Sequence, residues 1–180
     1  GYRFAPDAET VFNPFSILSL LKKRRWSDFW FATGTPTLLA DMLEARGYDL
    51  ARLTSTPVTL SSLNAIFLTG DDPIPLFYQS GYLTLGDYDS QRDTVTLRYP
   101  NREVEQGLLE FLLPHYSRCP DNPRTFVADL ADMLRDNRVD DFLIALRTLI
   151  PDIAYELVTS ESRERHYHSL FYIICRLIGF

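Results

Sequence analysis

The chain has 180 residues, 46% of them hydrophobic and 13% aromatic, and a formal net charge of -6. That content supports a packed core and excludes a disordered chain. The acid excess argues against a broad polyanion-binding face, which needs clustered Lys and Arg.

In chain order, Asn13-Pro14 predicts a helix start, because Asn caps and Pro sits where its missing N–H costs nothing. Ile17, Leu18, Leu20 and Leu21 form its apolar stripe, and Lys22-Lys23-Arg24-Arg25 closes it. Residues 26–31 read as a short, buried aromatic helix. Thr35-Pro36 repeats the cap-then-proline device before Leu38, Leu39, Met42 and Leu43, and Gly47 supplies a left-handed terminus. Residues 53–69 carry mixed signals, with a short extended piece at 58–60 and a weak helix as alternatives. Asp72-Pro73 starts a short helix through Phe77, ended by Ser80-Gly81.

The alternation of Tyr82, Leu83, Thr84 and Leu85, and of residues 94–99, predicts a β-hairpin with a polar tip over 87–93. A helix over 101–113 follows, with Val104, Leu108, Phe111 and Leu112 on one face. Residues 117–123 read as a linker. Asn122-Pro123 starts a helix bearing Phe126, Val127, Leu130 and Leu134. Asp136-Asn137 turns the chain into a second helix with Phe142, Leu146 and Leu149 inward. Ser160 caps a last helix whose main face is Tyr167, Leu170, Phe171, Ile174 and Ile178, with Ile173 and Leu177 elsewhere. An all-round apolar helix expects burial on several sides, so its surface would be covered by further domains of the same protein or by a second copy in a homodimer. The chain opens on Gly1-Tyr2-Arg3-Phe4 and stops just after that apolar run, which suggests an internal segment of a longer protein.

Reactive constellations are absent. No phosphate-cradling glycine loop occurs. His166 and His168, two apart on a helix, point roughly 200° apart and do not grip one ion, and His115 is remote. Glu103, Glu105, Glu110, Asp129, Asp132, Asp140 and Asp141 read as solvated faces and surface pairs rather than acid–base catalysts. No catalytic or metal site is therefore expected in this chain. The two cysteines, Cys119 and Cys175, lack metal or disulfide spacing and suit a reducing, cytoplasmic setting. No apolar run approaches the roughly 20 residues of a membrane span, so no membrane partner is expected. The helix–hairpin–helix order suits the latter half of a winged helix, in which Arg92 and Arg98 would meet nucleic acid. With only Arg102 beside them, a protein-packing role is favoured.

Four segments share a resemblance: Asn13-Pro14-Phe15-Ser16, Trp30-Phe31-Ala32-Thr33-Gly34-Thr35-Pro36-Thr37-Leu38-Leu39, Phe77-Tyr78-Gln79-Ser80-Gly81-Tyr82-Leu83-Thr84 and Tyr99-Pro100-Asn101-Arg102-Glu103-Val104. In this order they resemble AAA-ATPase-like bacterial proteins with a C-terminal PD-(D/E)XK nuclease-like domain. Arg165-His166-Tyr167-His168-Ser169-Leu170-Phe171 and Gly179 look like the helix that opens the nuclease-like domain. The resemblance implies ATP and Mg for the intact protein, none of it held by this chain alone, with Gly34 and Pro36 as a glycine-x-proline element against the nucleotide. It also implies partners in N- and C-terminal domains outside the chain. The expected architecture is mainly α (α+β), helical bundle parts with a winged-helix-like β-hairpin. Residues 1–116 would form the C-terminal part of an AAA-ATPase-like region, 117–123 a linker, and 124–180 a helical segment leading into a nuclease-like domain. The expected function is non-catalytic coupling of nucleotide state to that domain, the alternative being a winged-helix nucleic-acid-binding module.

Overall fold

A computed structural model describes residues 1–25, 36–64, 72–118, 122–150 and 160–179. The expected helix at 26–31 lies outside them, as do Cys119 and the rest of residues 119–121 of the expected linker. The described residues are mainly α with one small antiparallel sheet, an α+β structure. They fall into two compact units, Gly1–Met42 with Arg52–Leu108, and Leu43–Ala51 with Leu109–Phe180. Packing thus divides the chain otherwise than a single linear break at 117–123.

In the first unit, α1 (Pro14–Lys23) begins as the sequence dictates. Asn13 Oδ1 accepts the Ser16 N–H at 3.2 Å, and Arg24 closes the helix in the left-handed conformation at φ 48°. Its stripe, however, buries no residue. The first residues of α2 (Thr37–Arg46) contribute buried Leu39 and Ala40, while Leu38 is exposed. After α3 (Arg52–Ser55) come β1 (Val58–Thr59), α4 (Leu60–Leu63), α5 (Ile74–Gln79), β2 (Thr84–Asp89) and β3 (Thr94–Arg98). The order in the sheet is β1-β3-β2, with Val58 opposite Val95 and Leu85 opposite Leu97. The mixed signals over residues 53–69 therefore include a true third strand. Asp72 Oδ1 accepts the Ile74 N–H at 3.0 Å to start α5, and Gly81 at φ 81° ends it. Phe77, fully buried, meets the Tyr82 ring edge-on at 5.8 Å between centroids.

Two features of the hairpin differ from expectation. The tip is only residues 90–93, because Tyr88 and Asp89 remain paired with Val95 and Thr94 across an irregularity after Leu85. That irregularity needs Gly86: a Cβ there would lie 2.8 Å from Thr96 Oγ1 and 3.0 Å from the Thr96 carbonyl oxygen. Tyr82 and Thr84, which alternate with Leu83 and Leu85, are buried like them. The cover comes from the N-terminal segment, where Arg3 donates its N–H to Thr84 Oγ1 at 2.6 Å and accepts from that hydroxyl at 3.0 Å.

The second unit gathers residues 43–51, the later part of α6 (Arg102–Tyr116), α7 (Pro123–Arg135), α8 (Val139–Leu149) and α9 (Ser160–Ile178). Helix α6 continues past Leu113 through exposed Pro114, which removes one donor from the ladder without ending it. Asn122 caps α7, accepting the Thr125 N–H at 3.3 Å. Asn137 turns at φ 56° into α8, and α7 packs against both α8 and α9.

Gly47, at φ 52°, is required twice over, since a Cβ would also meet Ser162 Oγ at 2.9 Å. The segment it releases is stitched to α9: Leu50 donates its N–H to Ser169 Oγ at 3.0 Å, and that hydroxyl donates to the Tyr48 carbonyl at 3.3 Å. As a result α9 turns differently from its apolar pattern. Ser169, Leu170, Ile173 and Ile174 are buried, whereas Phe171 is exposed.

Ser169→Ala would leave the Leu50 N–H and the Tyr48 carbonyl buried without this partner, and an unmade buried bond costs about 1–3 kcal/mol. Calorimetric melting of the variant should show a loss of that size; an unchanged midpoint would refute the stitch.

Candidate functional site

The first unit holds an apolar cleft of about 450 Å³. It exists because the chain start doubles back, with the Tyr2 N–H donating to the Val11 carbonyl at 2.7 Å and the Val11 N–H to the Tyr2 carbonyl at 2.8 Å. Arg3 is meanwhile held to β2 through Thr84 and by its guanidinium on the Gly86 carbonyl at 3.2 Å. Tyr2, Phe4, Phe12 and Pro14 form one wall, and Tyr78 and Leu83, from the end of α5 and the approach to β2, the other. Several of its polar side chains are engaged: Gln79 Nε2 donates to the Leu63 carbonyl at 2.9 Å, Asn13 caps α1, and Thr84 binds Arg3, whereas the Tyr2 hydroxyl is buried without a hydrogen-bond partner among the described residues. The rest of the lining is mainly apolar, so the cleft suits apolar side chains. Phe12 and Pro14 carry it into α1, on which Phe15 is 51% exposed and Leu18 and Leu21 are each 67% exposed. Among the described residues, these form an exposed apolar surface of the kind that marks a docking site.

The residues singled out from sequence are not brought together. Gly34 lies outside the described residues. Pro36 is buried at the head of α2, where its carbonyl accepts the Ala40 N–H at 2.9 Å. Having no N–H, Pro36 itself offers a phosphate no backbone hydrogen bond. Arg92 sits at the exposed hairpin tip 3.9 Å from Asp89, flanked by Asp87 and Asp93. Arg98 ends β3, more than about 13 Å further along the strand at 3.3 Å per residue. Helix α5, at the position a winged helix would present to a groove, contains neither Lys nor Arg.

In the second unit each histidine has a separate partner. His166 Nε2 donates to the Tyr116 carbonyl at 2.9 Å, His168 Nδ1 to Asp49 at 2.9 Å, and His115 Nδ1 lies 3.8 Å from Glu44. No group of three or more His, Cys, Asp or Glu converges on a metal position among the described residues. The Tyr116 hydroxyl is buried without a hydrogen-bond partner among the described residues. Burial, then the charges of Glu44 and Asp49, push its pKa well above the usual phenol range. The carboxylates pair with arginines on the surface, Glu110 with Arg124 at 2.9 Å, Asp141 with Arg138 at 3.3 Å and Asp132 with Arg135. Among the described residues no helix is long and apolar enough to cross a membrane.

No family model matches the chain, and no solved structure matches it. It is similar to an uncharacterized protein in the vnfD 5' region of Azotobacter chroococcum mcd 1, 33% identical over 177 residues. The match covers 96% of this chain and 34% of that protein, so the chain spans about a third of the relative's length.

Tyr2, in the cleft wall, and Tyr82, behind α5, carry buried phenols. Burial raises both to a pKa of about 12 from the ordinary 10.0, with the charge of Glu103 adding to the effect at Tyr2. Both must be neutral in the folded state. The stability they contribute is complete below the unfolded value near pH 10 and is lost as pH rises towards 12. Circular dichroism and phenolate absorbance should therefore change together above pH 10, and Tyr82→Phe should move the onset upward. Phenolate formation that saturates with the helical signal intact would contradict this.

Proposed function

We propose that this chain is a non-catalytic docking segment of a longer ATPase-like protein with a nuclease-like C-terminal domain, coupling nucleotide state to that domain in the reducing cytoplasm. The observation that carries the reading is the open, mainly apolar cleft and α1 face, where the described residues bring no group of three or more His, Cys, Asp or Glu together. Such a surface recognises protein side chains and has nothing with which to activate water or hold a phosphate. Two further points support it: the relative it matches is about three times its length, and the four ordered segments resemble ATPase-like proteins. In the intact protein ATP and Mg would be held mainly by residues outside this chain, with Gly34 and Pro36 reporting on the nucleotide. Pro36 is suited to this as the buried start of α2, because a shift there moves a whole helix. In the longer protein, Gly34→Val and Pro36→Ala should each alter ATP affinity or turnover several-fold, read by nucleotide titration and phosphate release. Unchanged values in both would remove the sensor role.

One observation favours the nucleic-acid alternative: the order β1-β3-β2, with α4 and α5 between β1 and β2, is that of a winged helix. Its charges oppose that use. Asp89 lies 3.9 Å from Arg92, Asp87 and Asp93 are its near neighbours in sequence, and phosphate binding needs the opposite balance. Fluorescence anisotropy with a labelled duplex at low salt should accordingly show no affinity that Arg92→Ala and Arg98→Ala abolish. Salt-dependent binding lost in that variant would reverse the preference.

A further inference from the structure

The second unit carries an apolar face that complements the first. On α8, Val139, Leu143 and Ile144 are 47%, 54% and 66% exposed, and the helix opens with exposed Asp140 and Asp141. On α1 the arrangement is reversed: exposed Phe15, Leu18 and Leu21 lead into exposed Lys22, Lys23, Arg24 and Arg25. The two helices have 10 and 11 residues, about 15 and 16 Å long at a rise of 1.5 Å per residue. Laid antiparallel, they place the basic end of α1 on the acidic end of α8 and oppose Leu18 and Leu21 to Leu143 and Ile144. The macrodipoles add to this, since the negative C-terminus of α1 then meets the positive N-terminus of α8. Asp141 already shares its carboxylate with Arg138 at 3.3 Å, which leaves Asp140 as the main acidic contact.

We infer that the α1 face is an interface for a second copy of this chain, taking α8 of that copy in an antiparallel helix pair. This deepens the docking reading by naming the occupant, and it uses a different surface from α9, where apolar exposure is largely confined to Phe171. The contact is between unlike faces. Each copy therefore offers one face and accepts on the other, and two such contacts either close a dimer or extend a chain of copies. Apolar burial supplies the attraction, and the charge pairing fixes direction and excludes the parallel arrangement.

Sedimentation velocity of the 180-residue chain over a concentration series tests this. Self-association is expected. Leu18→Glu with Leu21→Glu should weaken it at least about tenfold, as should Leu143→Glu with Ile144→Glu, because burying a carboxylate in an apolar contact is strongly unfavourable. All four positions are exposed, and circular dichroism verifies the fold of each variant. The decisive arm mixes the two variants: one retains α8 and the other α1, so a mixed dimer should form where neither variant self-associates. Asp140→Lys should weaken association, and adding Lys22→Glu should restore it. A chain that stays monomeric, association indifferent to either double variant, or a mixture that remains monomeric would each overturn the pairing. Failure of the docking reading itself is seen separately, in the ATP response of the Gly34 and Pro36 variants.

Discussion

Among the described residues of the first unit, every contact between named strands passes through β3. It is the strand that pairs on both edges, with β1 through Val58 and Thr59 and with β2 from Thr84 to Asp89. Val95 and Leu97 are therefore fixed between two neighbours and are almost wholly buried. Their alternation sets which side chains of β2 face inward, since a slip of one residue would turn every partner over. The irregularity at Gly86 is the local cost of maintaining that register. Leu85 stays opposite Leu97 and Tyr88 opposite Val95, and Thr96 Oγ1 takes the Asp87 N–H at 3.0 Å. The other edge of β2 is covered by the chain start, and that cover, with the end of α5, makes the cleft. The candidate surface is thus a by-product of how an exposed strand edge is satisfied.

The second unit rests on a different device. Ser169 lies mid-helix among apolar residues, where a hydroxyl is costly unless paired. Its pairing to Tyr48 and Leu50 spends that cost on holding a segment with no secondary structure of its own. Gly47 allows the chain to leave α2 in the required direction, and His168 to Asp49 adds a second tie from the same turn of α9. The Tyr116 hydroxyl close by shows the opposite case, a buried polar atom without a partner among the described residues.

What was legible in the sequence was local. Asn13-Pro14, Asp72-Pro73, Asn122-Pro123 and Gly47 act through hydrogen bonds within a few residues, and each helix boundary they predict is present. The missing information concerned faces and partners. The burial of Thr84 follows from Arg3, 81 positions away, and that of Ile173 from packing that places Ser169 inward. Strand β1 has only two residues, too few for an alternating pattern to declare itself. The cleft was illegible because its walls come from residues 2–14 and 78–84, and neither the Asn13-Pro14 cap nor the resemblance over residues 77–84 tells that these stretches meet. The residues that did stand out, Arg92 and Arg98, sit at opposite ends of a strand, where their charges do not act together.

The exposed face of α1 bears on its own stability. Ten residues are fewer than the roughly 12–15 at which an isolated helix becomes marginal, and most helical stability in proteins comes from tertiary packing. Helix α1 buries no residue of its own and is held by its caps, Asn13 at one end and the left-handed Arg24 at the other. The Asn13 cap contributes about 1 kcal/mol, enough to bias the helix without making it rigid, whereas the left-handed conformation is itself costly for Arg24, which carries a Cβ. Covering Phe15, Leu18 and Leu21 would add apolar burial at about 25 cal/mol per Å², which matches that cap once roughly 40 Å² is removed from water. Docking and helix order are consequently linked at this end of the chain, because whatever covers α1 supplies the packing that its own unit withholds.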